Sequence, residues 1–248
     1  MLAVQLLCAF LFMSPMSAIN INSTVGEIVR TNPAQSHIFE NLGIDYCCGG
    51  KKTLTQACQA KGLDAVTVAA MLSALDGAPE RAMVSAGDMT LSELCDHIQS
   101  VHHAYLREEL PRLDFMTRKV AAVHGEHEPR LLRVRRACEA FQSEMASHLD
   151  EEDQVVFPAI RKMESTKAAQ PAGEPDLNSV LAKLESEHEN AAAVLSLFHN
   201  LTDHYTPPEW ACNTFRALYD GLAQLEKCTH EHVHLENNVL FPRALGQA

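Results

Sequence analysis

The chain has 248 residues, 46% apolar and 21% charged, enough for a sizeable core and too little charge density for a solvated, disordered polymer. Thirty-two acidic against 20 basic side chains leave a net charge of −12, which repels phosphate backbones and anionic lipid; nucleic acid and membrane are therefore poor partners, and with 13 His the chain suits cations. Eight scattered Cys without a CxxC pair exclude a disulfide scaffold and point to a reducing compartment.

Residues 1–18 carry an apolar run, Leu2 to Phe12, of signal-core length but too short for a membrane span. It lacks a basic flank, and Met16-Ser17-Ala18 is a poor cleavage site, so the expectation is a translation start at Met16 and a cytoplasmic protein.

A small helical domain is expected over residues 19–78. Val25, Ile28 and Val29, then Ile38, Phe39 and Leu42, then Leu54, Ala57 and Cys58, then Val66, Val68, Met71, Leu72 and Leu75 read as four short helices. Between the second and third stands Asp45-Tyr46-Cys47-Cys48-Gly49-Gly50, a turn that should expose the two thiols for metal, partner or oxidant, with Lys51 and Lys52 lowering a thiol pKa. Equally, the thiols could simply pack the turn. Asp76 to Met89, with Gly77, Pro79 and Gly87, reads as a linker.

Over residues 79–248 apolar residues recur at alternating steps of three and four, the seam of an up-down-up-down four-helix bundle, so the fold class is all-α. The first helix carries two competing stripes, Leu91 to Tyr105 and His103 to His124, and Pro111 is expected to kink or divide it. The second runs from Leu131 to Val155, the third from Leu177 to Phe198 and the fourth from Phe215 to Val239, separated by breaks at Gly125–Pro129, Gln170–Pro175 and Tyr205–Pro208.

Two of these helices end alike, in HLDEEDQVVFP (from His148) and HVHLENNVLFP (from His232). His103 precedes His148 by 45 residues and His188 precedes His232 by 44, so the bundle reads as two copies of one helix hairpin. Each copy supplies a His on its first helix and HxxxE on its second, bringing four His and two Glu to one level. Residues four apart share a helix face, so His148 with Glu152 and His232 with Glu236 each aim at one point on the buried seam. A lone seam His is ordinarily a hydrogen-bonded core residue; six polar seam residues in a repeat, with no Lys or Arg at that level, call instead for cations such as Fe, Mn or Zn. Periodicity alone does not choose between His102 and His103, and His97, His124, His230 and His234 read as surface or supporting residues.

DYCCGG (Asp45 to Gly50), HHAYLREELPRL (His102 to Leu113), SEH (Ser186 to His188) and HVHLENNVLFPRAL (His232 to Leu245), spread over Thr24 to Leu245, together resemble the iron-sulfur cluster repair di-iron proteins, the repair of iron centres family, with a hemerythrin-like domain. The resemblance implies a stress-response protein that restores clusters damaged by oxidative or nitrosative stress, by donating iron from two non-haem Fe ions bridged by Glu and an oxo or hydroxo group. It implies metal ligands at His103, His148, Glu152, His188, His232 and Glu236, and a role for Cys47 and Cys48 toward clusters or partners. Implied partners are damaged iron-sulfur proteins, with nitric oxide or oxygen species as ligands and a second copy of the chain as a candidate for self-association. Nitric oxide reduction, or sensing of NO or O2, is the alternative. Oxygen-carrying hemerythrins are similar but have a fifth His where Ala192 stands here and an Asp where Glu236 stands; fewer nitrogen ligands imply a more labile centre.

Overall fold

The computed structural model describes residues 19–74, 86–166 and 176–247. The apolar extension, Leu75, residues 76–85 of the expected linker and the Gln170–Pro175 break lie outside the described residues. Every regular element among the described residues is helical.

Four short helices, α1 (Val25–Thr31), α2 (Ser36–Asn41), α3 (Leu54–Ala60) and α4 (Ala65–Ser73), enclose a core of Val25, Phe39, Tyr46, Leu54, Cys58 and Leu72. Side-chain oxygens at Thr24, Thr53 and Asp64 cap α1, α3 and α4, satisfying N–H groups that short helices otherwise leave open. In α4 the stripe differs from the one expected: Val68, Ala69 and Leu72 face inward, and Val66 and Met71 face solvent.

The bundle comprises four rods. The first is α5 (Leu91–His97), a π-helical turn (Ile98–His103) and α6 (Ala104–His124); the second is α7 (Arg130–Glu151), a π turn (Glu152–Val156) and α8 (Phe157–Thr166). The third is α9 (Leu177–Leu201), and the fourth is α10 (Asn213–Leu235), a π turn (Glu236–Leu240) and α11 (Phe241–Ala244). Helix α6 packs on α7 and α10, and α9 packs on the same two, closing a square of antiparallel neighbours. Pro111 does not break its helix, because α6 runs through it; the irregularity of the first rod is the π turn ending on His103. Two competing stripes in the sequence reflect that extra residue per turn, which rotates the buried face between Ile98 and Leu106.

Two apolar clusters fill the bundle, one around Leu94, Ile98, Phe157, Leu184 and Phe241, the other from Leu106 to Leu225. A level of buried His and Glu separates them. From α8, the Glu164 carboxylate accepts the backbone N–H of Leu91 (2.7 Å) and Ser92 (2.9 Å) and the Ser92 hydroxyl (2.6 Å), pinning the start of α5. Glu164→Ala should therefore cost about 1 kcal/mol, read as faster amide hydrogen exchange at Leu91 and Ser92; unchanged exchange there would contradict the assignment.

Candidate metal centre

Three of the four rods widen into a π turn at the level where the expected ligands stand: one ends on His103, one begins on Glu152 and one on Glu236. Such turns recur at functional sites because the inserted residue re-aims side chains without ending the helix. All six expected residues are buried here, Glu152 and Glu236 at 0% exposure, in two groups: His103, His232, Glu152 and Glu236, and His148, His188, Glu152 and Glu236.

In the first group the Nε2 atoms of His103 and His232 are 3.2 Å apart. Glu152 Oε2 lies 3.5 Å from His103 Nε2 and 3.8 Å from His232 Nε2, and Glu236 Oε1 lies 3.9 Å and 3.0 Å from the same atoms. In the second group the Nε2 atoms of His148 and His188 are 3.1 Å apart; Glu152 Oε1 is 3.3 and 3.9 Å from them, and Glu236 Oε2 is 3.2 Å from His188 Nε2. Each carboxylate thus turns one oxygen to each group. None of the four oxygens meets a donor in hydrogen-bonding geometry, and only imidazoles, among the described residues, come within ion-pair distance.

Four orphaned carboxylate oxygens between two apolar clusters are costly unless a cation compensates them. Donors about 2.1 Å from one ion stand about 3.0–3.4 Å apart, close to the separations within each group, so the residues fit two cations of the imidazole- and carboxylate-preferring kind.

Electrostatics carry the same mark. Burial pulls His148 down, but the Glu152 charge beside it, with Glu236 and Glu187, outweighs this and pushes the imidazole up to about 9. His103 is likewise raised, against burial, by Glu236, Glu152 and Asp153. Burial pushes the Glu236 carboxyl up, yet the surrounding imidazoles, His232 foremost, hold it well below the usual carboxylate range.

Asp153, Glu187 and Asn237, which hold three of the imidazoles from outside, are not among the supporting residues that the sequence suggests. The Nδ1 atoms facing away from the centre meet Asp153 Oδ1 at His103 (2.8 Å), Glu187 Oε2 at His148 (2.8 Å) and Asn237 Oδ1 at His188 (2.9 Å). Arg107 in turn holds Asp153, and Lys183 holds Glu187. Such partners fix the tautomer and orient the ring. A signal existed: Asp153 and Asn237 each directly follow the seam Glu, and Glu187 directly precedes the seam His. His102, the other member of the pair, is buried beside the site with Nδ1 3.5 Å from Cys228 Sγ, and burial, then His232 and His97, lower its pKa to about 3. His234 is not a surface residue: it packs under Tyr46, with its rings 5.5 Å apart, and burial lowers it to about 4.

Of the two readings of the cysteine turn, packing holds for Cys47 and partial exposure for Cys48. Cys47 is buried at 3% exposure and only Cys48 is partly open, because the Asp45 carboxylate draws in the N–H of Cys47 (3.0 Å) and of Gly49 (2.9 Å) and the Cys47 thiol (3.2 Å). The thiol is raised, not lowered, by its contact with Cys48, burial and the Asp45 charge, while Lys51 turns to Glu185 at 3.2 Å. The turn is clamped to the bundle through Asn238, whose Nδ2 donates to the Cys47 carbonyl at 3.0 Å. At Gly49 a Cβ would stand 2.7 Å from the Asp45 carbonyl oxygen. Gly49→Ala should open the turn and speed Cys47 modification by a thiol reagent roughly tenfold or more; an unchanged rate would contradict this account.

A helical bundle that gathers four His and two Glu into two groups sharing both carboxylates is a cation-binding protein of the hemerythrin type, and residues 94–244 match the hemerythrin HHE cation binding domain. Residues 21–76 match a domain of unknown function, DUF542. The chain belongs to the family of iron-sulfur cluster repair proteins: it is 36% identical over 223 residues to the iron-sulfur cluster repair protein YtfE of Escherichia coli O157:H7 and 35% identical over 222 residues to that of Edwardsiella ictaluri. Each comparison covers 90% of this chain and 96% of the relative. No helix among the described residues is long and apolar enough to cross a membrane.

Proposed function

We propose that this chain repairs iron-sulfur clusters damaged by oxidative and nitrosative stress, and that it does so by giving up iron held at the centre of its bundle. The repair role is supported by relatives named for it across nine-tenths of the chain. The observation that carries the iron half is the pair of fully buried carboxylates whose four oxygens face only imidazoles.

His103 and His232 with Glu152 Oε2 and Glu236 Oε1 would hold one iron, and His148 and His188 with the other two oxygens a second. Bound iron supplies one-electron chemistry and an exchangeable ferrous ion. Four protein donors per ion leave part of each coordination sphere free for an acceptor's ligand, a composition suited to transfer. The chain's protons work in the same direction. His148 keeps its proton up to about 9 without metal, so loading expels a proton and a returning proton helps release.

The small domain, residues 19–78, acts in this reading as the client-facing unit, with Cys47 and Cys48 toward the damaged cluster, and residues 79–248 as the iron-holding unit. Its support is the clamp that joins them: Asn238 grips the cysteine turn while its neighbour Asn237 holds His188. Clients are damaged iron-sulfur proteins, met in the cytoplasm.

The test is transfer of isotopically labelled iron. Loaded protein should restore activity and deposit label in a damaged [4Fe–4S] hydro-lyase, and chelator-stripped protein should do neither. Restoration by the stripped protein would overturn the donor reading.

A further inference from the structure

The two hairpins are copies, so each residue of one half has a counterpart in the other, and the counterparts are not equally supported. His103 corresponds to His188, and each is stacked on the Phe of its own copy, His103 on Phe157 (ring centroids 5.4 Å) and His188 on Phe241 (6.2 Å). Each is also held by the residue after the seam Glu, Asp153 in one half and Asn237 in the other. His148 corresponds to His232, and here the symmetry fails. His148 Nδ1 meets Glu187, the residue before His188. Its counterpart before His103 is His102, which makes no such bond: its ring lies parallel to His232 at 5.9 Å, and its Nδ1 faces Cys228 instead. His232 Nδ1 is consequently buried without a hydrogen-bond partner, alone in this among the four imidazoles of the centre.

We propose that the two metal positions are unequal, the one between His103 and His232 being the exchangeable position from which iron is delivered, and the one between His148 and His188 retaining its metal. An imidazole whose outer nitrogen has no acceptor is a weaker donor and is less firmly aimed, and removal of such a partner lowers metal affinity about 10- to 100-fold. The determinant is the pair of pseudo-equivalent residues His102 and Glu187: a carboxylate there anchors the ring, whereas an imidazole only packs against it. This inference rests on the iron-binding reading above and goes beyond it by assigning the cargo to one position and its lability to one residue.

The test is release of iron from anaerobically loaded full-length protein into a colorimetric ferrous chelator, followed with total metal analysis. Wild type should release its iron in two phases of equal amplitude. His102→Glu, which offers His232 the acceptor its counterpart has, should slow the fast phase roughly tenfold or more and leave the slow one alone. In case a carboxylate at position 102 prevents folding, Glu187→His makes the other half resemble this one and should accelerate the slow phase toward the fast. A single phase in wild type, or a His102→Glu variant that keeps both irons and an unchanged fast phase, would overturn the inference while leaving iron binding intact. A protein that binds no iron would overturn both.

Discussion

Glu152→Ala should reduce bound iron from about two per chain to well below one, because the lost carboxylate serves both groups and each would keep three protein donors instead of four. No other single substitution removes a donor from both positions at once except at Glu236. The effect on the metal-free fold should also be large. His148 carries its proton mainly because Glu152 stands 3.3 Å away, and breaking a buried pair of this kind costs about 3–5 kcal/mol. Metal analysis by mass spectrometry, with circular dichroism to confirm helical content, measures the first; chemical denaturation of metal-free protein measures the second. Full iron occupancy in this variant would show that Glu152 is not a shared ligand.

Stripping the metal should lower the melting temperature by roughly 10 °C, since a ligand present at a hundred to a thousand times its Kd stabilises by about 2.7–4.1 kcal/mol, and a chain of this size shifts about 2–4 °C per kcal/mol. The stripped protein should then show a pH dependence that the loaded one lacks. His148 is raised to about 9 in the folded chain against about 6.5 unfolded, so its stabilising contribution is complete below pH 6.5 and is lost as pH rises through about 9. Glu236 is depressed, so its contribution is present above the ordinary carboxylate range and is lost as pH falls below it. Metal-free protein should therefore be most stable between about pH 5 and 6.5, whereas iron affinity should climb toward pH 9 as His148 gives up its proton. Melting curves from pH 5 to 9, with His148→Gln as control, separate these trends. A metal-free melting temperature that rises between pH 6.5 and 9 would show that His148 is not the protonated partner of Glu152.

Much of this architecture was legible because periodicity reports burial directly. The seams of the second, third and fourth rods follow from which residues repeat every three or four positions, except at Val155, which the π turn of the second rod leaves exposed while Val156 is buried, and the apolar packing of the rods confirms the all-α bundle. The repeat HxxxE, followed five residues later by Phe-Pro, was visible for the same reason: two chain segments under one packing constraint converge on one spacing. The first rod resisted, because its π turn falls early, between the short α5 and the long α6, and shifts the stripe for the rest of the rod, whereas in the second and fourth rods the π turn follows the long helix; Pro111, where a kink or break is expected, lies within α6 without a break.

The cysteine turn shows the other limit. A Gly-rich stretch beside two lysines leaves open whether the two thiols are exposed and acidified or packed into the turn. Folding brings Asp45 back over the turn and directs Lys51 to a helix 134 residues away, which buries Cys47 and raises its thiol.

By itself the sequence determined the class of fold, the two-copy pattern and five of the six side chains at one buried level, with the sixth narrowed to His102 or His103 until the family resemblance chose between them, because helical period and residue type are local properties that a chain carries before it folds. Only the tertiary structure decided that each glutamate turns one oxygen to each group, that Asp153, Glu187 and Asn237 hold three of the imidazoles, and that His232 is left with a stacked His102 in place of an acceptor. Those distinctions depend on angles and separations between residues up to 133 positions apart, such as His103 and Glu236. No local rule contains them, because they arise only when four separate rods share one core.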